Sequence, residues 1–210
     1  RGTKTYVMMC QAKRAGYNRQ HTALDLHDRK CDQNLARLHK AGIQGVRTVS
    51  GDACELDAVL TSFDAMLGKP VLFDTVFIDA PCSGTGTMRR HPEIPWRLTE
   101  KDVTTELPRL QLTMLKEAAA RVAAGGELIY ATCSVFDEEN TQVVDAFLSS
   151  LEGADFSLAP LSEAQILQLP DFAQAKKLVS VRQNDRGLFQ SVPVNVDSYD
   201  GHFCARLVHK

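Results

Sequence analysis

Two cysteines in this 210-residue chain stand where an apolar run ends and a tight turn begins: Cys82 in DAPCSGTG, Asp79 to Gly86, and Cys133 in ATCSV, Ala131 to Val135. A thiol displayed at a strand end can ionise and attack an electron-poor ring, and a second thiol beside it can serve the release. An arbitrary cysteine is more often a small core-filling residue, and that reading is kept for Cys10, Cys31, Cys54 and Cys204. Acids mark the ends of the other strand-like runs: Asp25 in TALDL, Asp52 after Gly51, and Asp79 before Pro81-Cys82. A carboxylate offers two acceptors to the two hydroxyls of a ribose, and it can also accept from an exocyclic amine such as that of adenine. Each acid alone could be a helix or turn cap. Their recurrence at successive strand ends is what points to a nucleoside.

Such residues need a scaffold that gathers strand ends on one edge, and the alternation of apolar runs with helix-period stretches predicts it. A helix is expected over Lys4 to Ala15, stopped by Gly16, ahead of the strand that closes at Asp25. A second is expected over about Asp28 to Ala41, with Cys31, Leu35 and Leu38 on one face. A strand near Val46 to Ser50 and a helix over Leu56 to Leu67 follow. Val76-Phe77-Ile78 reads as a buried central strand, and the long loop from Pro81 to about Asp102 as functional. Helical spacing of Leu107, Leu110, Met114, Ala118 and Val122 runs to Gly125-Gly126, before a buried strand over Leu128 to Ala131. Asp137 is expected to cap a helix, with Glu138 and Glu139 complementing its dipole and Val143, Val144, Phe147 and Leu148 as its buried face. No regular element is assignable over 152–175, and GLFQSV with HFCARLV reads as a closing antiparallel hairpin. The fold class is α/β: a Rossmann-like, mostly parallel sheet with an antiparallel carboxyl-terminal hairpin, which binds ligands outside the carboxyl ends of its strands.

At 44% hydrophobic and 24% charged residues, the chain has the material for one globular domain over 1–210. No apolar run reaches transmembrane length and the first residues do not read as a signal peptide, so no membrane is expected. A chain this long with a normal core needs no disulfide framework, so its six cysteines read as reduced thiols of a cytoplasmic protein, and their lack of CxxC spacing argues against a structural metal. A net charge of −2 leaves any attraction to a polyanion to a local patch. One candidate is the stretch Arg89, Arg90, His91, Arg97, Lys101 and Arg109, with Arg89 and Arg90 as phosphate contacts. Trp96, inside that stretch, could stack on a base; between Ile94-Pro95 and the following chain it is expected to pack the loop.

DAPCSGTGTMRRHPEIPW, followed a helix later by GGELIYATCSVFDEEN, resembles the Sun (Fmu) family of S-adenosylmethionine-dependent RNA cytosine-C5 methyltransferases. The resemblance runs from Arg1 to about Leu151 and resumes at DGHFCARL. ALDLHDRK looks like the family's ribose-binding acid motif at Asp25, and SGDA like its adenine-contacting one at Asp52. RGTKT resembles the latter half of the glycine-rich cofactor loop, usually PGGKT; Gly2 and Lys4 match, while Arg1 replaces a proline and Thr3 a glycine. The resemblance implies Cys133 as the thiolate that adds to C6 of cytosine, Cys82 in the release step, Asp79 near N3, and Lys4 beside the base. It implies S-adenosyl-L-methionine as cofactor, held by residues 1–4, Asp25, Asp52 and Asp79. The partner would be ribosomal RNA, or alternatively transfer RNA, with the cytosine single-stranded or flipped. In this fold the first strand lies mid-sheet and leads into the cofactor loop. The sequence opens inside that loop, so the expectation is a chain truncated at its amino terminus, lacking that strand and an upstream RNA-binding module. Two rivals are a cofactor- or RNA-binding module without turnover, and a nicotinamide-dependent dehydrogenase, which would want a GxGxxG loop.

Overall fold

The computed structural model describes residues 2–168, 182–193 and 199–210, which fall into two compact units, Arg1–Val71 and Leu72–Lys210. In the first, α1 (Thr3–Arg14) precedes β1 (His21–Asp25), α2 (Asp28–Lys40), β2 (Val46–Ser50) and α3 (Leu56–Leu67), close to the expected boundaries. β1 and β2 pair in parallel from His21↔Val46 to Asp25↔Ser50, so both acid-bearing turns leave the same end of this pair. Helix α2 lays Cys31, Asn34 and Leu38 inward, and the Cys31 thiol donates to the Val49 carbonyl at 3.2 Å. The structural reading of Cys31 is therefore what is observed. Cys10, by contrast, is exposed and fills no core.

The second unit holds β3 (Phe73–Asp79), α4 (Ile94–Arg97), α5 (Leu107–Ala119), β4 (Val122–Thr132), α6 (Thr141–Leu148), β5 (Phe156–Leu158), α7 (Glu163–Gln168), β6 (Phe189–Ser191) and β7 (His202–His209). Its strand order is β3-β4-β7-β5, with β6 also on β7. β3 and β4 are parallel, and β7 is antiparallel to β4, β5 and β6. The expected closing hairpin is the pairing of β6 with β7, Phe189↔Cys204 to Ser191↔His202. Leu115, Leu128, Tyr130, Val144, Phe147 and Leu207 form the centre of the core, all without solvent exposure.

Four expectations change. Val122 is not helical: α5 stops at Ala119, and Val122 pairs with Phe73 as the first residue of β4. The register then jumps to Thr75↔Glu127, with Gly125 at φ +73° in the excursion between. Val122 continues the helical spacing because a buried strand start and a buried helix position demand the same apolar side chain. β3 is the end of its sheet's strand order rather than central, and Val76 and Phe77 are only half-buried. Asp137 begins a short 3-10 turn, Asp137–Glu139, and the helix proper starts at Thr141. Leu148 is half-buried at the margin of α6's inward face. Within 152–175, where no element was expected, β5 pairs with β7 and α7 forms; residues from 169 lie outside the described ones.

Phe147 meets Phe156 edge to face at 5.6 Å between ring centroids, which fastens α6 to β5. Phe147→Ala is expected to lower unfolding free energy by about 3–5 kcal/mol, read from the midpoint of a urea titration.

Candidate active site

Parallel pairing puts the carboxyl ends of β3 and β4 side by side, with Asp79↔Ala131 as the last register pair. The chain then turns at Pro81-Cys82-Ser83 on one strand and at Cys133-Ser134 on the other. Cys82 Sγ and Cys133 Sγ lie 3.1 Å apart, and the Cys133 amide donates to Cys82 Sγ at 3.3 Å. Both residues are half-buried. Asp79 is exposed at the end of β3. The turns are closed against each other by backbone bonds, Ala80 N–H to Ala131 O at 2.9 Å and Gly86 N–H to Cys133 O at 2.9 Å. Gly86 is required by close approach: a Cβ there would stand 2.2 Å from the Gly201 carbonyl oxygen.

Beneath the sulfurs lies a buried polar layer that the sequence reading missed. Glu139, with no solvent exposure, accepts from the Ser83 amide at 2.8 Å and Gln111 Nε2 at 3.0 Å through Oε2, and from the Ser134 hydroxyl at 2.6 Å through Oε1. Gln111 also donates to the Pro81 carbonyl at 2.9 Å. Thr85 Oγ1 accepts from the Val135 amide, Tyr130 donates to the Glu139 carbonyl, and Asn140 bonds both Thr132 and Ser134. The expected role of Glu139 as a charge complementing a helix dipole is therefore replaced by that of a buried acceptor. Gln111 carried a detectable signal, since it stands between Leu107 and Leu115 on the inward face of a helix.

The Cys82 thiol is pushed far above the ordinary range by its hydrogen bond to Cys133, then by burial and the neighbouring sulfur's charge. Cys82 is therefore hard to ionise while the Cys133 sulfur lies beside it. A cavity of about 300 Å³ opens beside Cys82 and Ser83, with Arg97 and Leu107 in its wall. Burial alone raises Cys204 to about 11, in keeping with a structural thiol.

In the first unit, Gly2 has φ +66°, and a Cβ on it would stand 1.8 Å from Asn34 Oδ1, so another residue there would be strained and would have to displace the Asn34 side chain. Asn34 Oδ1 is buried without a described partner. Thr3 opens α1 and is exposed, as is Lys4; Arg1 lies outside the described residues. Asp25 Oδ1 accepts from the His27 amide at 3.1 Å and faces Lys30 Nζ at 3.5 Å. Asp52 Oδ1 accepts from the Cys54 amide at 2.8 Å, the cap role that any acid there could have. In both acids the described contacts fall on Oδ1, and the turns that carry them follow register partners of a parallel pair.

The basic stretch is largely paired with acids. Arg89 and Arg90 both face Asp200, at 3.6 and 2.5 Å, while His91 and Arg97 face Glu93 and Lys101 faces Glu106. Trp96 does not pack the loop: it is 89% exposed, because the one-turn α4 turns Ile94 inward and Trp96 outward. Among the described residues, no group of three or more His, Cys, Asp or Glu is placed to hold a metal ion, and no helix is long and apolar enough to cross a membrane.

The family model described as 16S rRNA methyltransferase RsmB/F matches residues 2–207. The chain is 45% identical over 83 residues to ribosomal RNA small subunit methyltransferase B of Klebsiella pneumoniae (strain 342), a stretch covering 40% of this chain and 19% of that protein. It is 46% identical over 85 residues to the protein of the same name from Salmonella arizonae (strain ATCC BAA-731 / CDC346-86 / RSK2980), covering 40% and 20%. The aligned segments thus span about a fifth of those relatives' length. Among solved structures, that of PH0851 is similar with a TM-score of 0.67 and 28% identity, covering 89% of this chain and 36% of that one. NSun6 from Pyrococcus horikoshii is similar in fold, with a TM-score of 0.71 at 20% identity, covering 99% and 45%.

Because the hydrogen bond from Cys133 is the largest cause of the raised Cys82 value, removing that sulfur lowers it and enlarges the Cys82 thiolate fraction at any pH below it. Cys133→Ala should therefore speed alkylation of Cys82 by iodoacetamide at pH 8, with the exposed Cys10 as internal reference in peptide mass spectrometry.

Proposed function

The chain belongs to the 16S rRNA methyltransferase RsmB/F family, and from that premise we propose that residues 1–210 are the catalytic domain of an S-adenosylmethionine-dependent RNA (cytosine-C5) methyltransferase acting on ribosomal RNA. The observation that carries this reading is the contact of Cys82 and Cys133 sulfurs, 3.1 Å apart at the carboxyl ends of adjacent parallel strands.

C5 of cytosine is too weak a nucleophile to take a methyl group unaided. Cys133 thiolate adds to C6, breaking the C5–C6 π bond and raising electron density at C5. Charge that develops on N3 and O2 is relieved by Asp79 sharing a proton at N3. S-adenosylmethionine, when bound, supplies an electrophilic methyl group; in the first unit Gly2, Thr3, Lys4, Asp25 and Asp52 are the residues that would hold it. The glycine cradle at Gly2 and the acid pair at parallel strand ends suit a nucleoside with a ribose diol and an amine.

The thiol pair explains the order of events. While Cys133 is a thiolate not yet bonded to the base, it keeps Cys82 protonated. Once Cys133 is bonded to C6 its charge is gone, the Cys82 thiol becomes easier to ionise, and it can take the C5 proton at the stage that needs a base. Loss of that proton re-forms the C5–C6 double bond and expels Cys133. The cytosine must leave any helix to meet the sulfurs, so the substrate is single-stranded or flipped.

In the full-length protein, Cys133→Ala should abolish methyl transfer, whereas Cys82→Ala should retain RNA as a covalent adduct that survives denaturing electrophoresis. Bisulfite sequencing of ribosomal RNA from cells with and without the gene reads the same activity; a site lost only from transfer RNA would move the substrate assignment, and no lost site at all would favour a binding module without turnover. Trp96 is the sole tryptophan and lies in the open, suited to stacking on an RNA base. Its fluorescence should be quenched by a cytidine-containing single-stranded oligonucleotide, and Trp96→Ala should weaken binding about tenfold.

A further inference from the structure

Glu139 lies in the polar layer, and the described donors to its carboxylate are neighbours of the two cysteines rather than the thiols themselves. Both carboxylate oxygens act as acceptors, and their donors come from different places: the Ser83 amide next to Cys82, the Ser134 hydroxyl next to Cys133, and Gln111 from α5. The groups that meet there are fully or nearly fully buried, with Glu139, Ser134 and Gln111 at 0% exposure and Ser83 at 7%. The carboxylate therefore spans the two turns as a tie, Oε2 to one and Oε1 to the other, and Gln111 fastens the same point to the Pro81 carbonyl. A second route, Ser83 Oγ to Ser134 Oγ at 3.1 Å, runs alongside it.

We propose that Glu139 is the positioning residue of the thiol pair, holding the Cys82 and Cys133 turns in the one arrangement that keeps their sulfurs in contact. This rests on the reading of the two cysteines as the reacting groups, but the geometry it asserts can be measured without any methyl transfer. Sulfurs 3.1 Å apart need only a small shift to reach a disulfide bond of about 2.05 Å. Oxidised glutathione supplies the two electron acceptors: one Cys82–Cys133 disulfide forms as two glutathione thiols are released. The equilibrium constant of that exchange reports how well the turns are held.

The experiment equilibrates wild-type protein, Glu139→Ala, Glu139→Gln and Ser134→Ala in glutathione buffers and quantifies the Cys82–Cys133 cross-linked peptide by mass spectrometry, with circular dichroism to verify folding. Glu139→Ala should lower the constant about tenfold or more, since two turns lose their shared acceptor. Glu139→Gln should stay within about threefold of wild type, because its carbonyl can still accept from Ser83 and Gln111 while its amide donates to Ser134 Oγ. Ser134→Ala, which removes only the Oε1 arm, should fall between; if Glu139→Ala does not fold, this variant decides. An unchanged constant in folded Glu139→Ala, or in folded Ser134→Ala where that variant decides, overturns the proposal. A wild-type enzyme that transfers no methyl group while the constant still depends on Glu139 would overturn the function assigned above and leave the tie standing. In an active enzyme, the tie further predicts a lower kcat for Glu139→Ala with the KM for RNA unchanged, recovered in Glu139→Gln.

Discussion

Parallel pairing of β3 with β4 is the constraint from which the site follows. Two parallel strands finish at the same edge, and the register Asp79↔Ala131 delivers both cysteine turns there together. A slip of one residue would turn Ile78, Leu128 and Tyr130 out of the core, because side chains alternate between faces of a sheet. Those three residues are buried, so the apolar core itself fixes the register that brings sulfur to sulfur. Core packing and site geometry are thus set by the same hydrogen-bond ladder.

The turns beyond that ladder carry a different problem. Ser83, Thr85, Thr132, Ser134, Glu139 and Asn140 are polar and buried, and in a dry interior such groups destabilise a fold unless their donors and acceptors are matched. Here they are matched mainly to one another. The exceptions are informative: Gln111 gives its amide protons to Pro81 and Glu139 and leaves Oε1 without a described partner. An orphaned carbonyl is tolerated there because its own amide end secures the cysteine turn. In the first unit Asn34 Oδ1 is likewise buried without a described partner, in the space that a Cβ on Gly2 would take.

Much of this could be read from residue order. Strand β2 and helix α3 begin and end where the periodicity put them, because each is bounded by a glycine or an acid and has a single apolar face. The cysteine turns and strand-end acids were visible for the same reason: a reactive type at an element boundary is a local signal. Glu139 was not, since EEN after a turn looks alike whether the carboxylates face water or the interior, and only the donors of Ser83 and Gln111 decide between them. Trp96 failed in the opposite direction. An indole beside Ile94 and Pro95 suggests burial, yet a helix of one turn has room for one inward residue, and Ile94 takes it at 5% exposure. Val122 shows the remaining ambiguity, where helix and strand ask for the same side chain.

Electrostatics gives the proposed RNA contact its character. With a net charge of −2, the chain offers no general attraction to a polyanion, and most cations of the candidate stretch already face an acid. Arg89 and Arg90 converge on Asp200, whose carboxyl is held below the usual range chiefly by the hydrogen bond from Arg90. Those guanidinium groups are about half exposed, so the pairs are screened by water and contribute little to stability. Exchanging a carboxylate for a phosphate then costs little, and the arginines arrive pre-oriented because Asp200 has already fixed where they point. Such an arrangement favours an anion that comes to one place over anions met anywhere on the surface.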